Sequence, residues 1–198
     1  MRIADRLREA FRSGSERSPV LLQGDVMEGG EGGETIPAAV LVAVVDRPRP
    51  TVILTERPLT MRKHPGQISF PGGRIDPGDS GAVEAALREA EEEIGLPPER
   101  VDVIATADRY VTVTGFEVIP VVGVVPPDLR LAPRPDEVAS MFEAPLDHLL
   151  DPGRHRIRTA EWRGRERSYF EIEWQGRRIW GATAAMLVNL SRRLELVE

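Results

Sequence analysis

Apolar residues at Val83, Ala86, Leu87, Ala90 and Ile94 recur every three or four positions, the spacing of a helix that buries one stripe. Gly95 is a stop signal, and the Pro97-Pro98 pair beyond it cannot continue a helix. Asp79 and Ser80 are candidate caps at the start. Ile3, Leu7 and Phe11 repeat with the same period and predict a helix over 1–13. A stretch rich in Gly, Glu and Ser follows and reads as a flexible linker over 14–36. Strand-like segments come next, at 37–45, 51–56, 67–70, 101–113 and 117–125. The 101–125 region alternates apolar with polar residues and turns near Thr114-Gly115, which predicts a hairpin. A proline-rich loop over 126–136, a short helix over 146–151, strands near 167–174 and 177–180 and a helix over 181–194 complete the pattern. No internal repeat is visible. Helices alternating with a mixed sheet predict an α/β fold, an α/β/α sandwich.

Composition narrows the classes. A chain of 198 residues with 41% hydrophobic content can bury one good core and reads as a single domain. There is no cysteine, hence no disulfide and no thiolate metal site, which fits a reducing cytoplasm. No apolar run approaches the roughly 20 residues needed to span a bilayer. The N-terminal segment mixes acids with its apolar residues and does not resemble a secretory signal. The expectation is a soluble cytoplasmic protein with no membrane partner. A net charge of −6 argues against broad nucleic-acid binding, which relies on basic surface.

The candidate chemistry sits on the predicted helix at 83–94. Glu89, Glu92 and Glu93 stand at i, i+3 and i+4, so all three share one face with Cβ atoms roughly 5–6 Å apart. Like charges this close are mutually destabilising unless something positive lies between them. Mg²⁺ or Mn²⁺ takes oxygen ligands of this kind. The other reading is a solvated acidic face. Against it stands the position of the cluster near the helix C-terminus, where negative charge opposes the macrodipole and where sequences break local rules at functional sites. Just upstream, Arg57, Arg62, Lys63 and His64 concentrate positive charge. Each alone reads equally well as solubilising loop charge; as a group beside a metal site they favour phosphate binding.

From Arg88 to Leu96 the residues Arg-Glu-Ala-Glu-Glu-Glu-Ile-Gly-Leu match the second half of the box of the Nudix hydrolases, with Ala90 as a small member of the aliphatic class. The first half departs from that pattern. After five intervening residues from Gly73 stands Asp79 in place of glutamate, and eight residues rather than seven separate it from Arg88. The upstream run is similar to the signature of the coenzyme A pyrophosphatase branch. It carries Leu54-Thr55-Glu56-Arg57, then Arg62-Lys63-His64-Pro65-Gly66, then a turn over 70–79 that opens with Phe70-Pro71-Gly72-Gly73 and leads into the box. That branch commonly carries the aspartate and the extra residue. A weaker echo, Ile179-Trp180-Gly181-Ala182-Thr183-Ala184, extends the resemblance toward the C-terminus.

The resemblance implies an α/β/α sandwich at 37–198, preceded by the helix and linker of 1–36. It implies Mg²⁺ or Mn²⁺ held by Glu89, Glu92 and Glu93 with help from the Gly73 carbonyl. One of these glutamates, or an acid from a later loop, would be the general base; Glu137 is the best candidate outside the helix, with an ordinary loop acid as its other reading. Arg88 is expected to orient the glutamates by bidentate hydrogen bonding. The expected substrate is coenzyme A or a thioester, cut to adenosine 3′,5′-bisphosphate and 4′-phosphopantetheine, with Arg57, Arg62, Lys63 or His64 holding phosphate. Two alternatives stay open: the same chemistry on ADP-ribose, a dinucleotide or a nucleoside triphosphate, and a non-catalytic nucleotide sensor. His148 and His155 are expected to be structural, and Trp162, Trp174 and Trp180 to pack in the core rather than stack on adenine. The N-terminal helix is expected to pack either on its own domain or across a homodimer.

Overall fold

A computed structural model describes residues 1–17, 22, 35–61, 65–162 and 164–194. Along the chain the elements are α1 (Ile3–Arg17), β1 (Ile36–Val45), β2 (Thr51–Glu56), β3 (Ile68–Ser69), β4 (Gly72–Arg74), α2 (Ala82–Ile94), β5 (Asp102–Thr106), β6 (Tyr110–Val111) and β7 (Phe116–Val125). There follow β8 (Ser140–Pro145), α3 (Leu146–Leu150), β9 (Arg156–Trp162), β10 (Arg165–Trp174), β11 (Arg177–Trp180) and α4 (Ala182–Leu194).

The near-continuous apolar run of β1 has a direct physical cause. The strand is central and covered on both faces, so neither face needs polar residues. Ala38, Val42 and Val44 enter one core, together with α1, α4 and the residues Ile172 and Ile179. Ala39, Leu41, Ala43 and Val45 enter the other, beneath α2. β1 runs parallel to β7 in register from Ile36↔Phe116 to Val45↔Val125, and antiparallel to β2 and β4. The main sheet carries the order β3-β2-β1-β7-β5, with β4 on β1, β6 on β7 and β8 on β2. A second, antiparallel sheet has the order β11-β10-β9. Helices cover both faces of the mixed main sheet, so the architecture is the expected α/β sandwich.

Several strands depart from the sequence reading. The Gly72–Arg74 segment, expected as part of a turn, is the short strand β4, because its backbone pairs with Ala38–Val40. The segment 101–113 is divided: β5 carries a bulge between Val103 and Ala105, and only Tyr110–Val111 resumes pairing. β8 and β9 are additional to the predicted strands, β9 because its polar residues lack a continuous apolar face. The predicted hairpin turn does form, with Gly115 at φ 84 donating its N–H to the Thr112 carbonyl; a positive φ there suits glycine.

The helix expected over 1–13 continues to Arg17, into the predicted linker. Of the remaining linker, residues 18–21 and 23–34 lie outside the described residues. Leu22 is fixed by the buried Asn189, whose amide accepts its N–H and donates to its carbonyl, both at 2.7 Å. Ile3, Leu7 and Phe11 are buried in the core that contains α4, so α1 packs on its own domain. Leu7 is fully enclosed, and truncating such a side chain leaves a cavity. Leu7→Ala should therefore lower the unfolding free energy by about 2–5 kcal/mol in a denaturant titration; an unchanged midpoint would detach α1 from the core. No helix among the described residues is long and apolar enough to cross a membrane.

Candidate active site

The site forms where α2 lies across β1 and β4. Ala85, Ala86 and Ala90 on the buried face of α2 are small, which lets the helix approach the sheet. On the same face Glu93 is carried inward with them, to 6% exposure. Its carboxylate accepts the Gly72 N–H at 3.2 Å. Burial pushes the Glu93 carboxyl up to about 7, with the charges of Glu89 and Glu137 adding and the Gly72 N–H and Arg57 opposing. Glu89, one turn earlier, is raised mainly by burial and pulled back by Arg88. Its carboxylate lies flat against Gly73, where an added Cβ would stand 2.5 Å from both oxygens. Gly72 has no room either, since a Cβ there would strike the backbone of Ala39 and Val40.

Arg88 is the hub of the polar network. Its Nε and Nη2 form a fork on Asp79 at 3.0 Å each, Nη2 also reaches the Arg74 carbonyl at 3.1 Å, and Nη1 donates to Glu89 at 2.9 Å. Glu92 is half exposed and lies 3.5 Å from Nη1. The bidentate bond expected from Arg88 therefore goes to Asp79, and the glutamates receive single contacts. Hydrogen bonding from Arg88 holds the Asp79 carboxyl below its ordinary value. Asp79 and Ser80 do not cap α2: the N-cap is Gly81, without a side-chain bond. Asp79 instead accepts from Arg88 and from the Asp76 N–H, and the Ser80 N–H donates to Glu84. The departure from the box pattern at Asp79 is the signal in the sequence that this residue has another task. Gly95 stops the helix as expected, at φ 67, with its N–H on the Glu91 carbonyl.

The loop before β8 reaches the site through the far end of α2. A helix leaves its last carbonyls without partners, and the N–H groups of Ala132 and Arg134 bond to those of Ile94 and Glu93 at 2.9 Å each. Val138 is buried, and the Ala139 N–H bonds to the Glu56 carbonyl at 2.8 Å. Glu137 is thereby placed close enough to act electrostatically on both Glu89 and Glu93, and it also pairs with Arg134 at 3.2 Å. Arg57, just past the end of β2, faces Glu93 as a compensating charge. Its Nε is buried with no hydrogen-bond partner among the described residues, a state that favours an anion as partner. Arg62, Lys63 and His64 lie outside the described residues.

The structure brings Gly73, Glu89, Glu93 and Glu137 together with Arg57, and leaves Glu92 on the rim. Among the described residues no three acids converge into a ready-made cage, since Glu89 is drawn to Arg88 and Glu93 to Gly72. The donor set nevertheless suits a hard divalent cation: oxygen ligands only, on adjacent turns of one helix, with two carboxyls raised by burial and mutual repulsion. Gly73→Ala would push the Glu89 carboxylate away. We expect it to reduce hydrolytic turnover by roughly 10–100-fold with little loss of secondary structure by circular dichroism. Unaltered turnover would show that Glu89 need not lie there.

His148 and His155 are structural, as expected, with Nε2 on the carbonyls of Glu173 and Leu149 at 2.7 and 2.9 Å. Trp174 packs partly into the core beside His148. Trp180 does not: it is 39% exposed, because it stands on the outward face of β11 while its neighbour Ile179 takes the inward one. The side chain of Trp162 lies outside the described set.

The sequence pattern of the NUDIX domain matches residues 35–174. An uncharacterized Nudix hydrolase NudL of Cronobacter sakazakii is 46% identical over 157 residues, covering 79% of this chain and 82% of that protein. The Escherichia coli K12 protein of the same description is 42% identical over the same shares. Among solved structures, the Nudix hydrolase RenU of M. smegmatis superposes with a TM-score of 0.51 at 23% identity, covering 68% of this chain and 83% of that one.

Proposed function

The chain belongs to the Nudix hydrolases, which act on nucleoside diphosphate derivatives with divalent metal ions, and from that footing we propose that it cleaves the pyrophosphate of coenzyme A or its thioesters. The products are adenosine 3′,5′-bisphosphate and 4′-phosphopantetheine. The observation that carries this reading is the buried, unpartnered Nε of Arg57 beside Glu93. Arg57 is the arginine of the Leu54-Thr55-Glu56-Arg57 segment that is similar to the coenzyme A branch, and it brings positive charge to the acids where a pyrophosphate must lie.

Glu89, Glu92 and Glu93, with the Gly73 carbonyl, would hold Mg²⁺ or Mn²⁺. Such an ion, when bound, neutralises charge developing on phosphate oxygens and lowers the pKa of bound water. The chain's own residues do the rest. Arg88, fixed by Asp79, holds Glu89 in place. Glu137 takes the proton as water forms its bond to one phosphorus and the bridging P–O bond breaks, giving two phosphate monoesters. Arg57 binds the non-bridging oxygens of the phosphate under attack. Arg62, Lys63 and His64 stand in the same segment of sequence and supply further phosphate contacts.

A product assay by mass spectrometry tests this, with Mg²⁺ and with Mn²⁺ and with coenzyme A, acetyl-coenzyme A, ADP-ribose, NADH and a nucleoside triphosphate in parallel. Release of 4′-phosphopantetheine well ahead of cleavage of the others is the expected result. Preferential cleavage of another substrate would leave the α2 chemistry standing and overturn the coenzyme A assignment.

A further inference from the structure

The outward face of the second sheet is built unlike the rest of an acidic chain. On its inward face Ile172 and Ile179 are fully buried. Cross-strand register puts Arg158 opposite Tyr169, and Arg156 and Trp180 opposite Glu171, all on the other side. There Glu171 is 6% exposed and lies between two arginines. Its Oε1 accepts from Arg158 Nε at 3.2 Å, while its Oε2 accepts from Arg178 Nε at 2.9 Å and Nη2 at 2.7 Å. The guanidiniums hold the Glu171 carboxyl below its ordinary value, the Arg178 hydrogen bond contributing most. One carboxylate thus orients two cations, whose side chains remain 49% and 59% exposed. Each guanidinium has five N–H donors; Arg158 spends only Nε on Glu171, and Arg178, whose Nη2 also reaches the Tyr169 hydroxyl at 3.5 Å, keeps Nη1. Trp180 and Tyr169 meet edge to face beside them, with ring centroids 5.7 Å apart.

We propose that this face binds a nucleoside phosphate monoester, with the base on Trp180 and Tyr169 and the phosphate dianion on Arg158 and Arg178. Aromatic rings accept any base face, and Arg forks match phosphate oxygens. Charge decides between this occupant and a second copy of the chain: the outward face carries Arg156, Arg158 and Arg178, which suit a phosphate dianion and would repel the same face of another molecule. The sheet is tied to the segment that precedes the active-site glycines. Thr183, at the start of α4 directly after β11, donates to the Ile68 carbonyl at 3.1 Å, and β3 leads into Gly72 and Gly73. Arg57 donates its N–H to the carbonyl of Gln67, the residue before β3, at 3.0 Å.

The inference rests on the proposed reaction for its ligand, adenosine 3′,5′-bisphosphate being the product that carries a phosphate monoester at both the 3′ and the 5′ position of its ribose. That molecule has no anhydride, so calorimetric titration reads its binding apart from turnover. Adenosine and inorganic phosphate serve as partial probes. Arg158→Gln should weaken adenosine 3′,5′-bisphosphate by about tenfold and leave adenosine unaffected. Trp180→Ala should weaken adenosine and the bisphosphate alike, by about tenfold. Both positions are exposed, and thermal melts would verify folding. If the substrate's nucleotide end uses the face, both variants also raise KM for coenzyme A. If the free product uses it separately, KM holds and product inhibition weakens. Wild-type binding in both variants, or none in the parent protein, overturns the inference whether or not coenzyme A is cleaved. Conversely, binding lost in the variants while coenzyme A resists hydrolysis would support the face and sink only the reaction.

Discussion

Glu93→Gln should make the protein more stable and nearly inactive. The carboxyl rises from 4.5 to about 7 on folding, chiefly through burial. Between these values the folded state binds more protons than the unfolded one, so stability falls as pH rises through this window. Below about 4.5 both states are protonated and the cost vanishes; above about 7 it is fully present, on the order of 3 kcal/mol. Glutamine keeps the acceptor for the Gly72 N–H and removes the charge. With chelator present, the variant should therefore match the parent in acid and exceed it at pH 8 in urea titrations. Turnover should fall by at least about 10²-fold, since a metal ligand, the role proposed for Glu93, carries more than the 10–100-fold typical of its supporting residues. Equal stabilities at pH 8 would show that Glu93 is not held at a cost. Undiminished hydrolysis would remove the α2 acids from the reaction.

Arg57→Ala has the second largest expected effect, on kcat/KM for coenzyme A. A hydrogen bond to a charged group is worth about 1.5–3 kcal/mol, which corresponds to roughly 10–150-fold. A merely space-filling Arg57 would lower the melting temperature and leave kcat/KM intact. A further readout separates the cases. Arg57 lowers the Glu93 carboxyl, so its loss should move the acid limb of the pH–rate profile upward. Lysine at this position, retaining charge without the planar fork, should restore the limb more completely than the rate.

The helix α2 is legible in the sequence because its information is local. Five apolar positions at helical spacing, a stop glycine and three acids at i, i+3 and i+4 all lie within Val83–Gly95. The structure keeps the helix, the stop and a buried stripe through Ala86, Ala90 and Ile94, while it turns Glu93 inward and leaves Glu92 on the rim. What surrounds the helix is legible only in part, because it depends on partners far along the chain. Glu137 can be suspected from its acid type, yet its nearness to Glu89 comes from Ala132 and Arg134 satisfying the last carbonyls of α2, a closure with no periodic signature. Asp79 reads by proximity as a cap; the guanidinium of Arg88, nine residues away, competes for it and wins with charge-assisted bonds. β4 looks like a turn because Gly72-Gly73 carries no strand propensity, and backbone pairing to β1 overrides it. Size alone would send Trp180 to the core, although the two-residue period of β11 gives that side to Ile179.

The parallel pairing of β1 with β7 also sets an order of events during synthesis. Ile36 meets Phe116, eighty positions downstream. At roughly 5–20 residues per second, the Val-rich β1 emerges about 4–16 s before its long-range partner exists. β2 follows after only five residues and pairs with Val44 and Val45, and β4 then takes Ala38–Val40 on the same edge, so that edge is closed well before β7 is made. The other edge waits as an unpaired, apolar template, a form prone to wrong association. The nascent chain should thus be most vulnerable to aggregation once β1 and β2 have paired but before β7 is made. A ribosome that stalls in that interval would leave β1 half-paired for longer, and the need for a chaperone would concentrate there.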